Sequence, residues 1–238
     1  MPICKLVCRL VRVLHRLAAL YNCGVPTSKA VLTALALAGI AAAQKHVSFP
    51  TQDGGLIHAD LYGDGERGVV LAHGAQFEKS SWAKQAAVLS NAGFRALAID
   101  FRGYGESRGG AQADRYLDVL AAVDYLRHAG CKTVSVLAGS MGAAAAADAS
   151  AESAAGAIDR LVLLAPAPIR EPGRLKGRKL FISSRGDPRA AGIRQQFEAA
   201  PDPKQLVWLE GSAHAQHIFA TDQGERLMRE ILQFLAAP

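Results

Sequence analysis

Three side chains of complementary chemistry stand at the same kind of place in this sequence, just after a short apolar run. Ser140 lies in Ala138-Gly139-Ser140-Met141-Gly142, after the run 133–137. Asp187 ends Ser184-Arg185-Gly186-Asp187, after 179–183, and His214 ends Glu210-Gly211-Ser212-Ala213-His214, after 205–209. A serine hydroxyl becomes a nucleophile at neutral pH when a base takes its proton. Imidazole is such a base, and a carboxylate behind it fixes its tautomer and stabilises its cationic form. A serine on a sharp strand-to-helix turn also needs small residues two positions before and after it, because strand and helix pass close together there. Ala138 and Gly142 meet that need. The five-residue pattern alone is weak and reads equally well as a glycine-containing connection with no reactive group. Its weight comes from its partners, met in the order Ser140, Asp187, His214, each after a different strand.

Each partner has a bland alternative. Asp187 also reads as a turn or helix N-cap aspartate. Asp202 and Glu210 are competing acids, but they fall at the wrong end of a strand or inside an element. His217 is a near rival of His214, and its position reads as the approach to the last helix. A further loop, His73-Gly74-Ala75-Gln76-Phe77, follows the run 68–72. Acyl transfer places negative charge on a former carbonyl oxygen, and preorganised backbone N–H groups stabilise it. Such donors come from a loop like this one and from the residue after the nucleophile, so Ala75 and Met141 are the candidates. His73 reads as a brace for the loop, since a base role fails on strand position. Gln76, Phe77, Glu78 and Tyr104 are candidates for the entrance to the site.

The elements that must position these groups are legible from pattern. Short strands are expected at 47–49, 56–61, 68–72, 95–100, 133–137, 161–164, 179–183 and 205–209. Helices are expected at 79–92, 114–129, 141–151, 189–200 and 225–235. In the second helix Tyr116, Leu117, Leu120, Val123, Tyr125 and Leu126 are expected to face inward. Several strands are apolar without alternation, as strands buried on both faces are. The alternation of strand and helix predicts an α/β, doubly wound, mainly parallel sheet, whose ligands gather at the carboxyl ends of the strands.

With these residues in view, the body resembles the α/β-hydrolase superfamily, nearest to compact dienelactone-hydrolase-like or carboxylesterase-like members. The resemblance covers residues 46–235. It rests on His73-Gly74, on Ala98-Ile99-Asp100-Phe101-Arg102-Gly103-Tyr104-Gly105-Glu106-Ser107, and on Ser140, Asp187 and His214. It implies an eight-stranded sheet whose second strand is antiparallel, and catalysis with no cofactor and no metal. Within that loop, Asp100 and Arg102 are expected to hold turns. Ala138 stands where glycine is commonest. Dienelactone hydrolases proper carry a cysteine nucleophile, so Ser140 points away from that substrate. It also argues against dehalogenase and epoxide hydrolase chemistry, which need an aspartate there. Many relatives carry a cap domain between the sixth and seventh strands. Here only residues 166–178 connect them, too few for a folded lid. An open site suits small or soluble esters and argues against interfacial lipase activity. Thioester or short-peptide hydrolysis uses the same groups, and a non-catalytic binding domain on this fold is the alternative of a different class.

Composition bounds the rest. The chain has 238 residues, half of them hydrophobic, which excludes wholesale disorder and suits one domain with an extension. The net charge of +6 is local: residues 1–43 hold Lys5, Arg9, Arg12, Arg16 and Lys29 and no acid, leaving 22 basic against 21 acidic residues elsewhere. Nucleic acid is therefore not an expected partner. Cys4, Cys8 and Cys23 also lie in this leader, and only Cys131 beyond it, so no disulfide framework is expected. Cys4 and Cys8 have helical ligand spacing but no second pair, and read as small hydrophobic residues.

Residues 3–20 place a basic stripe on one helical face, a membrane-surface pattern. Lys29 followed by 14 apolar or small residues and Gln44 has the layout of a signal peptide cleaved after Ala43. The 29-residue stretch before that apolar core is long, which an initiation site placed too early would explain. The expectation is export to the periplasm or medium, with a small ester as partner and membrane contact only through an uncleaved 1–43. A membrane-associated or cytoplasmic protein is the alternative.

Overall fold

The computed structural model describes residues 44–111 and 114–237. The basic helix expected at 3–20 and the signal-peptide motif ending at Ala43 lie outside the described residues. All eight expected strands form: β1 (Lys45–Pro50), β2 (Leu56–Tyr62), β3 (Arg67–Ala72), β4 (Phe94–Ile99), β5 (Thr133–Gly139), β6 (Arg160–Leu164), β7 (Arg178–Ser184) and β8 (Lys204–Leu209). They make one sheet in the order β1-β2-β4-β3-β5-β6-β7-β8. Strand β2 is antiparallel to both neighbours, and the pairs from β4 onward are parallel. The central strands are apolar on both faces because helices cover both; Val69, Val70, Leu71, Leu161, Val162, Phe181 and Ile182 are buried.

The helices are α1 (Ala83–Asn91), α2 (Arg115–His128), α3 (Met141–Glu152), α4 (Ala190–Ala199) and α5 (Gly224–Ala236). Helix α5 is amphipathic by spacing, burying Leu227, Ile231, Phe234 and Leu235 on one face. Helix α3 holds seven alanines in its twelve residues, which favours helix and leaves little bulk to hold it off the sheet; seven of its alanine and glycine positions from Gly142 to Ala151 are buried. At Gly142 the approach is closest: an added Cβ would lie 2.5 Å from the His73 carbonyl oxygen and 2.6 Å from that of Ala72. Glycine is therefore required where α3 leaves β5 and crosses the end of β3.

Two expectations shift. The helix expected at 79–92 begins as a 3-10 turn, Lys79–Trp82, before α1. Asp100 sets that turn by accepting hydrogen bonds from both Lys79 N (2.7 Å) and Lys79 Nζ (2.7 Å). Helix α2 buries Asp118, Val119, Ala122, Val123 and Leu126, whereas Tyr116, Leu117, Leu120 and Tyr125 are only half-buried. The cause is Asp118, which turns inward to meet Arg102. The buried Arg102 donates from Nε (2.9 Å) and Nη2 (2.7 Å) to Asp118 Oδ1, and to Asp53 through Nη1 (2.6 Å) and Nη2 (3.0 Å). These bonds hold the Asp53 carboxyl down at about 2. Asp100 and Arg102 thus hold turns, as expected of them. Leu117, Leu120 and Tyr125 line, with Phe49, a cavity of about 670 Å³ that none of Ser140, Asp187 or His214 touches.

The link between β6 and β7 spans residues 165–177 and holds one 3-10 turn, Pro172–Arg174. No cap domain is inserted there.

Candidate active site

Ser140 sits between β5 and α3 with φ 50° and ψ −112°. A non-glycine residue in this region is strained, and it persists because both flanking elements are fixed. Ser140 N donates to the Leu164 carbonyl (2.9 Å), and the Ser140 carbonyl accepts from Ala144 N and Ala167 N (3.1 Å each). The backbone is thus held from three sides while the side chain projects outward. Asp187, after β7, is almost fully buried; its Oδ1 accepts from Arg189 N (2.9 Å) and its Oδ2 meets His214 Nδ1 at 2.6 Å. His214, after β8, places Nε2 2.9 Å from Ser140 Oγ. The three residues, 74 positions apart at their extremes, form one continuous hydrogen-bonded chain. With Nδ1–H donating to the carboxylate, Nε2 presents its lone pair to the serine hydroxyl.

Neighbouring groups brace this chain. Ser184 Oγ donates to the Ala213 carbonyl (2.7 Å), fixing the His214 loop to the end of β7. The buried Gln216 accepts from Gly74 N at Oε1 (2.7 Å) and donates from Nε2 to Ser81 Oγ (2.9 Å), which ties the loop after β3 to the histidine loop. His73 is fully buried; Nδ1 faces the Gly74 carbonyl (2.9 Å) and Nε2 accepts from Phe101 N (3.2 Å). Burial pushes its basicity below the usual range, so it is a neutral brace, as expected.

A cavity of about 320 Å³ opens over Ser140, lined by Gly74, Ala75, Gln76, Phe77, Arg189, His214, Ala215 and His217. Ala75, Gln76 and Phe77 thus line the same cavity as Ser140. Met141 begins α3 beside Ser140, at a position whose N–H has no acceptor within the helix. Tyr104 is a correction: it is not among the cavity's lining. Its ring packs against His73 (4.7 Å between centroids) and its hydroxyl reaches Met141 Sδ (3.6 Å), so it supports the site from behind. The cause is the tight turn at 101–107, closed by hydrogen bonds from Tyr104 N to Phe101 O (2.9 Å) and from Ser107 N to Tyr104 O (3.0 Å). His217 lies in the 3-10 turn Ala215–Ala220 and shares the cavity wall, with Nε2 3.2 Å from Gln76 Oε1, but the imidazole bonded to Ser140 is that of His214.

Two further residues carry no sequence signal beyond closeness to Asp187 and His214. One is Gln216. The other is Arg189, whose exposed guanidinium donates to His214 Nε2 (3.2 Å) and reaches Ser140 Oγ (3.5 Å). It approaches the same nitrogen as the Ser140 hydroxyl, so the guanidinium and the hydroxyl compete for the single lone pair of His214 Nε2.

The sequence pattern of the alpha/beta hydrolase family matches residues 69–237. No curated protein matches the sequence. Among solved structures, an esterase of Pyrococcus furiosus superposes with a TM-score of 0.70 at 20% identity, over 82% of this chain and 92% of that one. A protein of Thermoplasma acidophilum described as a predicted CIB-like hydrolase gives 0.68 at 19%, over 82% and 98%. An esterase of Exiguobacterium antarcticum gives 0.68 at 14%, over 81% and 100%. At these identities the likeness is one of fold.

Proposed function

This chain belongs to the alpha/beta hydrolase family, and on that premise we propose that it is a serine hydrolase cleaving carboxylic esters of small or soluble substrates. The observation that carries the reading is the chain Ser140 Oγ, His214 Nε2, His214 Nδ1, Asp187 Oδ2, at 2.9 and 2.6 Å, on a strained turn under an open cavity. In this reading Ser140 Oγ attacks the ester carbonyl while His214 takes its proton. The tetrahedral oxyanion rests on the N–H groups of Ala75 and Met141. His214 returns the proton to the departing alcohol, and Asp187 stabilises the imidazolium between the two steps. Water, activated by the same imidazole, then hydrolyses the acyl-enzyme.

Gln76 and Phe77 contact the substrate at the cavity mouth. Arg189 favours a substrate with a negative charge near the scissile bond, because an anion there draws the guanidinium off His214. No cofactor takes part in these steps.

A fluorophosphonate probe should label the wild-type protein at one site and fail to label Ser140→Ala; labelling that survives the substitution overturns the assignment. Thioesters and short peptides are attacked by the same groups, and a panel of matched ester, thioester and amide substrates ranks them. Export after cleavage behind Ala43 belongs to the same proposal, and a recovered protein beginning at Gln44 is the expected mass-spectrometric result; a retained Met1 refutes it.

A further inference from the structure

At the antiparallel edge of the sheet three side chains converge far from any role in ester cleavage. His46 on β1 is paired in register with Asp60 on β2, and His58 is two residues from Asp60 on the same strand. Side chains two apart on a strand share a face, so His46, His58 and Asp60 stand together on one side of the sheet. The loop after β4 returns to this edge: Leu56 and Arg108 form a bridge, and Ser107 Oγ accepts from His58 N (2.8 Å). That delivers Glu106. His46 Nε2, His58 Nδ1 and Glu106 Oε2 are each 3.1 Å from the other two.

An equilateral triangle of two imidazole nitrogens and a carboxylate oxygen is one face of a tetrahedral metal site. Zinc bonds to nitrogen and oxygen of about 2.0–2.2 Å imply edges of roughly 3.3 Å between ligand atoms. The remaining face is open, since His46 and Glu106 are exposed. Behind the triangle, His46 Nδ1 lies 3.1 Å from Asp60 Oδ1, and Asp60 is buried. A carboxylate on the far nitrogen of a histidine puts the proton there and turns the lone pair of Nε2 toward the triangle, the usual support of a metal-bound imidazole. Proton sharing serves the three atoms poorly. With that tautomer, His46 Nε2 and Glu106 Oε2 are both acceptors at 3.1 Å, and one His58 N–H cannot satisfy the pair.

We propose that His46, His58 and Glu106 bind one divalent transition-metal ion of the zinc class, with water completing the tetrahedron and Asp60 as the supporting carboxylate. Imidazole and carboxylate donors together suit zinc and its first-row neighbours rather than calcium or magnesium. Bound there, the ion fastens β1, β2 and the loop after β4 to one another. The loop is the one whose Tyr104 backs Met141 and His73. The role is one of cross-linking; ester cleavage proceeds at the opposite half of the sheet.

The test is zinc titration calorimetry on the full chain after chelator stripping, with cobalt absorption as a second readout. Wild type should bind one equivalent at this site, gain several degrees in Tm, and show the visible band of low-coordinate cobalt. His46→Ala and Glu106→Gln should each lower the affinity at least 100-fold, and Asp60→Asn about 10- to 100-fold. Both His46 and Glu106 are exposed, so these variants are expected to fold, as circular dichroism checks. Failure of wild type to bind zinc overturns the proposal. So does binding that persists unchanged in His46→Ala and Glu106→Gln, which places the ion elsewhere, for instance on the cysteines of the leader.

Discussion

The carboxyl rim of β5, β7 and β8 and the edge formed by β1, β2 and the loop after β4 both gather charged and polar side chains, but they are built in opposite ways. At the rim each of Ser140, Asp187 and His214 comes from a separate strand end, the backbone is strained at Ser140, and the cavity is open. At the edge the groups are cross-strand neighbours or are buried among partners, as Arg102 is between Asp53 and Asp118. The rim gathers its groups around a cavity and a strained turn, whereas the edge packs its groups against cross-strand and buried ionic partners. Rate and stability should therefore respond to different substitutions.

The largest separation is expected for Asp187→Asn. The amide holds the wrong imidazole tautomer, and kcat for ester hydrolysis should fall about 10³- to 10⁴-fold with Tm little changed. A comparable collapse of Tm would break the division. Arg102→Met is its mirror image. It strands two carboxylates, and denaturant titration should show a loss of about 3–5 kcal/mol, while kcat of the folded fraction stays near wild type. Gln216→Leu sharpens the boundary, because Gln216 joins two loops of the rim through buried hydrogen bonds. It should cost about 1–2 kcal/mol and roughly tenfold in kcat, moving both readouts together.

The smallest effect concerns acid. Asp53 is held at about 2 when folded and titrates near 3.9 when unfolded. Its contribution is therefore complete above about pH 4 and fades as pH falls through about 2. Since its side chain is 26% exposed, solvent screening limits the effect to about 1–2 kcal/mol. The stability difference between wild type and Asp53→Asn should shrink across that window; a difference that is flat there would reassign the pairing.

The same contrast explains what could be read from the chain alone. Parallel strands announce themselves as unbroken apolar runs, and the chemistry of such sheets lies directly after them. Ser140, Asp187, His214 and the loop from Ala75 to Phe77 therefore followed from local pattern and order. The inward turn of α2 did not, because apolar spacing alone favours Leu117 and Tyr125 over Asp118. Only the buried guanidinium of Arg102, 16 residues away, makes an acid the better core residue. Tyr104 was misplaced for a related reason: a loop residue's direction depends on the turn that carries it. Gln216, Arg189 and the His46–His58–Glu106 triangle depend on cross-strand register and on loops meeting in space, neither of which spacing encodes.

The 13-residue passage from β6 to β7 also bears on the timing of turnover. With no cap inserted there to shut and reopen, that connection adds no gating step of its own to product egress. In the proposed reaction an acylated Ser140 would face solvent through the open cavity, and hydrolysis is expected to outcompete transesterification with an added alcohol.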